Sequence, residues 1–254
     1  MERFTSFDGI EIAYQVWGTG GTLPLIFLHH GFIANANINW VQPGIVAALT
    51  NAGRQVVALD ARGHGESDKP HDPSFYGEEK MAQDLRQLFD IMRATHVDLV
   101  GYSMGAIVSL ITASQDEHIR RLVVGGVGAG VVNRGGVNTR TLSGAALADA
   151  MHVQDADTIT DPTARAFRAY ADRVGGDREA LAAQAVSRHA SHIPLNQIKA
   201  PTLLITGDND QLAARPEILA SAISDAQTLL LPGDHLSIVR LPRFASAIVE
   251  FLAS

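Results

Sequence analysis

Short apolar runs that favour β-strands alternate along this chain with longer stretches that favour helices. The runs are residues 10–17, 25–29, 56–60, 97–100, 122–125, 202–206 and 228–231. The first alternates apolar and polar residues, whereas the later runs are apolar and bounded by Gly, Pro or Asp, which is typical of buried strands. This succession predicts an α/β fold in which a mostly parallel sheet carries helices on both faces.

Two stretches carry apolar side chains at helical spacing. Residues 79–93 place Met81, Leu85, Leu88, Phe89 and Met92 on one face, and a second stretch does the same with Phe244, Ile248, Phe251 and Leu252. We expect each stretch to form a helix that packs its apolar face against the sheet.

The alternation stops between residues 128 and 196. This region follows the glycine-rich segment 125–130 and contains Ala-, Asp- and Arg-rich stretches without a convincing strand. We therefore predict a helical insertion at 128–196, between a first core segment at 1–127 and a second core segment at 197–254.

Composition excludes several classes of function. The 254 residues include no Cys, which excludes disulfides, thiolate metal sites, iron–sulfur clusters and a Cys nucleophile. With 20 Lys and Arg against 27 Asp and Glu, the net charge of −7 argues against nucleic acids and anionic membranes as partners. No window reaches the roughly 18 apolar residues of a membrane span, and residues 1–8 do not resemble a signal peptide, so we expect a cytoplasmic protein.

The sharpest local motif is Gly101-Tyr102-Ser103-Met104-Gly105, which follows the apolar run 97–100 and precedes a helix-compatible stretch. A plain Gly/Ser turn would also fit these five residues. The setting between strand and helix favours a nucleophile elbow, in which a strained turn presents the Ser103 hydroxyl above the sheet.

A serine hydroxyl reacts near neutral pH only with help from a base and an acid that orients the base. Residues 207–210, which contain Asp208 and Asp210, follow the run 202–206, and His235 follows the run 228–231. The order Ser, Asp, His, with acid and base each just past a strand, is the order found in α/β sheets that carry such a triad. On this reasoning alone, the acid is Asp208 or Asp210.

Five motifs in order carry a resemblance to a known family. They are Leu28-His29-His30-Gly31-Phe32, the segment from Asp60 to Ser67, the elbow at Ser103, residues 207–210 and Gly233-Asp234-His235. With these motifs the sequence resembles the α/β-hydrolase superfamily, and more closely its bacterial branch of small esterases, cofactor-free haloperoxidases (perhydrolases) and carbon–carbon bond hydrolases. The resemblance implies an eight-stranded sheet with the region 128–196 as a small helical cap.

The resemblance also implies a role for each matching residue. Ser103 matches the nucleophile, His235 the general base and Asp210 the acid, since the family's acid lies three residues after the glycine. Asp208 then has the simpler interpretation of a turn residue that bonds its own backbone. The backbone N–H of Met104, at the start of a helix, and that of Phe32, by resemblance, would form the oxyanion hole.

The other histidines and glycines do not predict a metal or a cofactor. His29 and His30 are adjacent and would point to opposite faces of an extended chain. We expect His30 to brace the oxyanion loop and His64 to make structural hydrogen bonds in its turn. In the insertion, we expect a solvated helical face to carry His152, His189 and His192. The alternative is that one of them contacts substrate. The segment 126–131 lacks the last glycine of a dinucleotide fingerprint.

These observations predict a cofactor-independent serine hydrolase whose partner is a small-molecule substrate, with small carboxylic esters as the leading substrates. The same residues could instead support perhydrolysis (haloperoxidase chemistry) or carbon–carbon bond hydrolysis of a diketone-type substrate. A non-catalytic ligand receptor of the same fold is the alternative from another class. Epoxide hydrolysis and haloalkane dehalogenation in this fold need a carboxylate nucleophile, which Ser103 is not.

Overall fold

A computed structural model describes residues 1–136 and 143–253 of the chain. Over this part the strands are β1 (Glu2–Thr5), β2 (Glu11–Trp17), β3 (Leu25–His29), β4 (Val56–Leu59), β5 (Val97–Tyr102), β6 (Ile119–Gly125), β7 (Thr202–Gly207) and β8 (Ala226–Leu231). The helices are α1 (Ile45–Asn51), α2 (Glu78–Ile91), α3 (Met104–Gln115), α4 (Ala129–Arg134), α5 (Gly144–His152), α6 (Pro162–Val174), α7 (Arg178–Val186), α8 (Pro216–Ser221) and α9 (Pro242–Ala253). No helix in these ranges is long and apolar enough to cross a membrane.

The eight strands form one sheet in the order β1-β2-β4-β3-β5-β6-β7-β8. β2 pairs antiparallel with β1 and β4, and every other pair is parallel. The predicted fold class is therefore confirmed. The loops that follow β3, β5, β7 and β8 leave the same edge of the sheet, because the carboxyl ends of parallel strands lie together.

Helices cover both faces of the sheet. The predicted helix at 79–93 is α2, which packs beside α3 in the core on one face and buries Met81, Leu85, Leu88 and Phe89. The second predicted helix is α9, which lies with α1 on the opposite face and buries all four of its predicted apolar residues. The apolar faces of α2 and α9 therefore pack against the sheet, as the helical spacing of their residues predicted.

The insertion has a small core of its own. Leu147, Met151, Ala164, Ala171 and Leu181 pack together there, with Ile33 and Leu212 added from the loops beneath. Asp161 and Asp177 cap α6 and α7 by accepting backbone N–H groups, which fixes where these helices begin. Residues 137–142 of the predicted insertion lie outside the described residues. Its described part is helical, and the division of the chain at 128 and 196 stays a prediction.

The sequence analysis was wrong at two strands on the borders of the sheet. It did not predict β1, in which Phe4 alone of the four residues is buried. It predicted a buried strand at 228–231, whereas β8 exposes Thr228 and Leu230. The reason is that β8 is an edge strand paired only with β7, so Leu230 is exposed and faces away from the core.

Candidate active site

Ser103 occupies a strained turn between β5 and α3. Its backbone has φ 53° and ψ −113°, a conformation that non-glycine residues rarely adopt, and its N–H donates to the Gly125 carbonyl at 2.8 Å. Strain of this kind persists only where the surrounding structure enforces it. The turn places the Ser103 side chain at the carboxyl edge of the sheet.

The two glycines of the motif allow close packing around this turn. A Cβ atom at Gly101 would lie 2.2 Å from the Gly105 carbonyl oxygen, and one at Gly105 would lie 2.0 Å from the His29 carbonyl oxygen. Neither position accepts a side chain, because both contacts are with backbone atoms that cannot move aside easily. The glycines therefore let α3 begin directly against β5 and β3.

Ser103, His235 and Asp210 form one chain of hydrogen bonds. The Nε2 atom of His235 lies 2.9 Å from the Ser103 Oγ atom, and its Nδ1 atom lies 2.7 Å from the Asp210 Oδ2 atom. The His235 side chain is 12% exposed and that of Asp210 is fully buried. These side chains come from the loops after β5, β7 and β8, which the sheet brings together across more than a hundred residues of sequence.

Backbone N–H groups hold the Asp210 carboxylate in place. Its Oδ1 atom accepts from Leu212 at 2.9 Å and from Ala213 at 3.2 Å, which leaves Oδ2 for His235. Asp208 lies apart from this chain and accepts the Gly233 N–H at 2.9 Å. The expected bond of Asp208 to its own turn is thus replaced by one that ties the two loops together.

Tyr102 is a site residue that the sequence analysis did not identify. Its hydroxyl donates to the His235 backbone carbonyl at 2.6 Å, and the two rings lie 5.4 Å apart. Burial raises the pKa of Tyr102 well above its usual range, so the hydroxyl keeps its proton. The available signal was an aromatic residue with a hydroxyl directly before the serine of the elbow.

Of the two candidate oxyanion donors, Met104 belongs to the elbow itself, and Phe32 lies in the loop after β3. Met104 is the first residue of α3, where an N–H has no acceptor within the helix. Phe32 is the second residue of a turn closed by the Ala34 N–H and the Gly31 carbonyl at 3.2 Å. A Cβ atom at Gly31 would lie 3.4 Å from the Ser103 Cβ atom, so this loop lies directly against the elbow.

His30 braces the loop that carries Phe32, in agreement with the sequence analysis. Its Nε2 atom accepts the Ala61 N–H at 2.9 Å, so the ring proton is on Nδ1, which donates to the Gly31 carbonyl at 2.8 Å. Burial lowers the pKa of His30 to about 4 and keeps the ring neutral. Asn39 accepts the Gly31 N–H at 3.0 Å from the other side.

Ile33 adds backbone strain to the same loop, which no sequence signal indicated. Its φ of 70° is unusual for a β-branched side chain. The side chain is buried in the core of the insertion, so the insertion helps to hold this conformation. The loop conformation beside Ser103 is therefore enforced by packing as well as by hydrogen bonds.

Two cavities meet at Ser103. The outer one has a volume of about 510 Å³ and is also lined by His235, Tyr102, Tyr170 and Arg173. The inner one is about 40 Å³ and reaches from Ser103 and Met104 into the insertion. Phe32 and Phe167 line both cavities, with their rings stacked at 6.3 Å, so the two rings form the wall between them.

The remaining histidines occupy different environments. The Nδ1 atom of His64 lies 3.0 Å from the Arg62 carbonyl within its turn, as expected. His152 and His192 are exposed, but the His189 side chain is only 5% exposed and lines the inner cavity, so the predicted solvated face is wrong for His189. Among residues 1–136 and 143–253, no three His, Asp or Glu side chains form a group that could hold a metal ion.

This chain is similar to a known family model and to curated proteins over part of its length. A family model described as "alpha/beta hydrolase fold" matches residues 24–127. The chain is 36% identical over 117 residues to an sn-1-specific diacylglycerol lipase of Danio rerio, which is 45% of this chain and 35% of the lipase. It is 35% identical over 108 residues to a non-heme chloroperoxidase of Streptomyces lividans, which is 41% of this chain and 36% of that protein. The chain thus spans about a third of the length of these relatives.

Solved structures match over the whole chain. A hydrolase from Pseudomonas aeruginosa is 26% identical with a TM-score of 0.81, and the match covers 100% of this chain and 98% of that one. The enol-lactonase from Burkholderia xenovorans is 26% identical with a TM-score of 0.77, and the match covers 100% of both chains.

Proposed function

Because this chain belongs to the α/β-hydrolase superfamily, we propose that it is a serine hydrolase that cleaves small carboxylic esters through an acyl-enzyme on Ser103. The observation that carries the proposal is the unbroken chain of hydrogen bonds from the Ser103 Oγ atom through His235 to Asp210, with distances of 2.9 and 2.7 Å. In the first step His235 Nε2 accepts the hydroxyl proton while Oγ attacks the acyl carbon. Asp210 orients the ring and stabilises the imidazolium that forms.

The attack moves negative charge onto the carbonyl oxygen. In this mechanism the N–H groups of Met104 and Phe32 donate to that oxygen, and the N-terminus of α3 adds its positive dipole end. His235 then gives its proton to the leaving alcohol, which departs from the acyl-enzyme. Water, activated by the same histidine, attacks the acyl carbon and releases the acid, so no cofactor takes part.

The cavities support a small-molecule substrate. A volume of about 510 Å³ beside Ser103 accepts a molecule of modest size, and its lining combines apolar side chains with a few polar groups. An enol-lactonase and a diacylglycerol lipase among the similar proteins both carry names for cleavage at a carboxylic ester. These names favour ester cleavage over carbon–carbon bond hydrolysis.

Perhydrolysis is the second candidate. Non-heme chloroperoxidases of Streptomyces lividans and Kitasatospora aureofaciens are 35% and 37% identical to this chain over 108 and 105 residues. In this alternative, hydrogen peroxide attacks the same acyl-enzyme in place of water and the product is a peracid. Measuring peracid and acid formation from one ester, with and without peroxide, separates the two reactions.

The test of the proposal labels the nucleophile directly. Wild type and Ser103→Ala are incubated with a fluorophosphonate and the adduct is located by intact mass and peptide mapping. We expect one adduct on Ser103, absent from the variant, together with turnover of short p-nitrophenyl esters by the wild type alone. If folded wild-type protein neither takes the label nor hydrolyses these esters, a non-catalytic ligand receptor becomes the better description.

A further inference from the structure

The inner cavity beside Ser103 is lined by a buried amide whose nitrogen has no hydrogen-bond partner among the described residues. Gln184 is fully buried, and its Oε1 atom accepts the Gly77 N–H at 3.4 Å, which assigns the other end of the amide as Nε2. Within the described residues this Nε2 atom has no hydrogen-bond partner. Native proteins seldom leave a buried donor unused, so each such group calls for an explanation.

Further polar groups surround the same space. The Nε2 atom of His189 also lacks a partner among the described residues, while its Nδ1 atom lies 3.7 Å from the Glu79 Oε1 atom. Glu78 and Arg188 complete the polar lining. Burial raises the pKa of Glu78 and lowers that of Arg188, and the opposite charges of these two side chains offset each other. The cavity therefore favours a polar but uncharged group.

The side of Ser103 on which the cavity lies decides which part of an ester enters it. His235 must give its proton to the leaving alcohol, and His235 lines the outer cavity but not the inner one. The leaving group therefore occupies the outer cavity. The acyl group extends the opposite way, past Met104 and Phe32 into the inner cavity.

We propose that the inner cavity is an acyl subsite that selects short acyl groups bearing an uncharged hydrogen-bond acceptor oxygen, which accepts from Gln184 Nε2. This inference rests on the proposed serine hydrolase function and adds a substrate class to it. The small volume of about 40 Å³ limits the acyl group to a few atoms beyond the carbonyl. Apolar walls from Ile107, Leu147 and Phe167 leave the polar end as the place where an oxygen is bound.

The test compares two esters that differ in one chain position. p-Nitrophenyl methoxyacetate and p-nitrophenyl butyrate share a leaving group and a chain length, and the ether oxygen of the first replaces a methylene of the second. The measured quantity is the ratio of their kcat/KM values, in wild type and in Gln184→Leu. Comparing this ratio between proteins cancels the different intrinsic reactivity of the esters.

In Gln184→Leu we expect the kcat/KM for the methoxyacetate, divided by that for the butyrate, to fall about ten-fold. The reason is that the variant has lost the donor for the ether oxygen. Leu147→Val is the matched control, because it alters the apolar wall without touching a donor and should change both esters alike. If Gln184→Leu does not fold, Gln184→Met provides the same comparison. An unchanged ratio in a folded variant that still hydrolyses both esters overturns the subsite.

The failure of the proposed function has a different signature. In that case wild type would hydrolyse neither ester and Ser103 would take no fluorophosphonate, and the acyl subsite would be overturned together with the function. The subsite alone is overturned if the wild type takes the label and hydrolyses both esters, but Gln184→Leu has the same ratio of kcat/KM values as the wild type.

Discussion

The Tyr102 hydroxyl donates a hydrogen bond to the backbone carbonyl of His235 at 2.6 Å. This bond joins the last residue of β5, directly before Ser103, to the loop after β8. It fixes the backbone of the histidine, whereas Asp210 fixes the orientation of its ring. The position of His235 relative to Ser103 therefore depends on these two contacts.

Removing this hydroxyl should impair catalysis more than stability. For Tyr102→Phe we expect kcat on p-nitrophenyl acetate to fall about three- to ten-fold, since His235 is less well positioned, with a stability loss of about 1 kcal/mol. Tyr76→Phe is the matched control, because Tyr76 is equally buried and its hydroxyl donates to the Pro70 carbonyl at the same distance of 2.6 Å. Equal loss of kcat in both variants would contradict a positioning role for Tyr102.

The two aspartates after β7 should differ sharply in their effect on turnover. Asp210→Asn removes the charge that orients and stabilises the His235 ring, so kcat should fall by about 10³ to 10⁴. Asp208→Asn keeps an oxygen that can accept the Gly233 N–H, so kcat should stay within about three-fold of wild type. Steady-state kinetics on one ester decides the point, and a larger loss for Asp208→Asn would show that Asp210 is not the acid.

The strands and the chain of hydrogen bonds could be predicted because their signals are local. The runs at 25–29 and 202–206 are apolar and end at polar or glycine residues, and β3 and β7 begin where those runs begin. Ser103, Asp210 and His235 each follow such a run, and parallel strands bring their loops together. The sequence order alone therefore places Ser103, His235 and an aspartate, Asp208 or Asp210, at one edge, and the choice of Asp210 rests on the family resemblance.

Other features of the site depend on contacts that no local pattern records. Tyr102 and His235 are 133 positions apart, and Gln184 reaches Gly77 across 107 positions. The burial of His189 depends on how the insertion packs over the core, because its own neighbours in sequence are polar or small. The first pairing depends on how β5 and the loop after β8 meet, and the contacts of Gln184 and His189 depend on how the insertion packs on the core.

Three buried imidazoles should make the protein sensitive to acid. Burial lowers the pKa of His29 and of His64 to about 3, and that of His30 to about 4, below the ordinary value of 6.5. The unfolded chain therefore binds protons first as the pH falls. The stability that comes from neutral rings is complete above about pH 6.5 and is lost progressively as the pH falls towards 3.

Replacing one of these rings should reduce the dependence on pH. Between pH 7.5 and 5, the free energy of unfolding of wild type should fall by about 2 kcal/mol more than that of His29→Asn, as measured by urea denaturation. His192→Asn is the control, because His192 is exposed, and it should follow wild type. If His29→Asn and wild type lose the same stability over this range, His29 is not held neutral by burial.

If the proposed function holds, the wall between the two cavities should set the length of the acyl chain that is cleaved. Phe167 lines both cavities and stacks on Phe32 at 6.3 Å, so Phe167→Ala should join the outer and inner spaces. We expect the ratio of kcat/KM for p-nitrophenyl octanoate to that for the acetate to rise at least about ten-fold. Tyr170→Ala widens the outer cavity alone and should leave this ratio near the wild-type value. A wild-type acyl profile in Phe167→Ala would mean that the acyl chain does not enter the inner cavity, because removing the ring would then give the chain no added room.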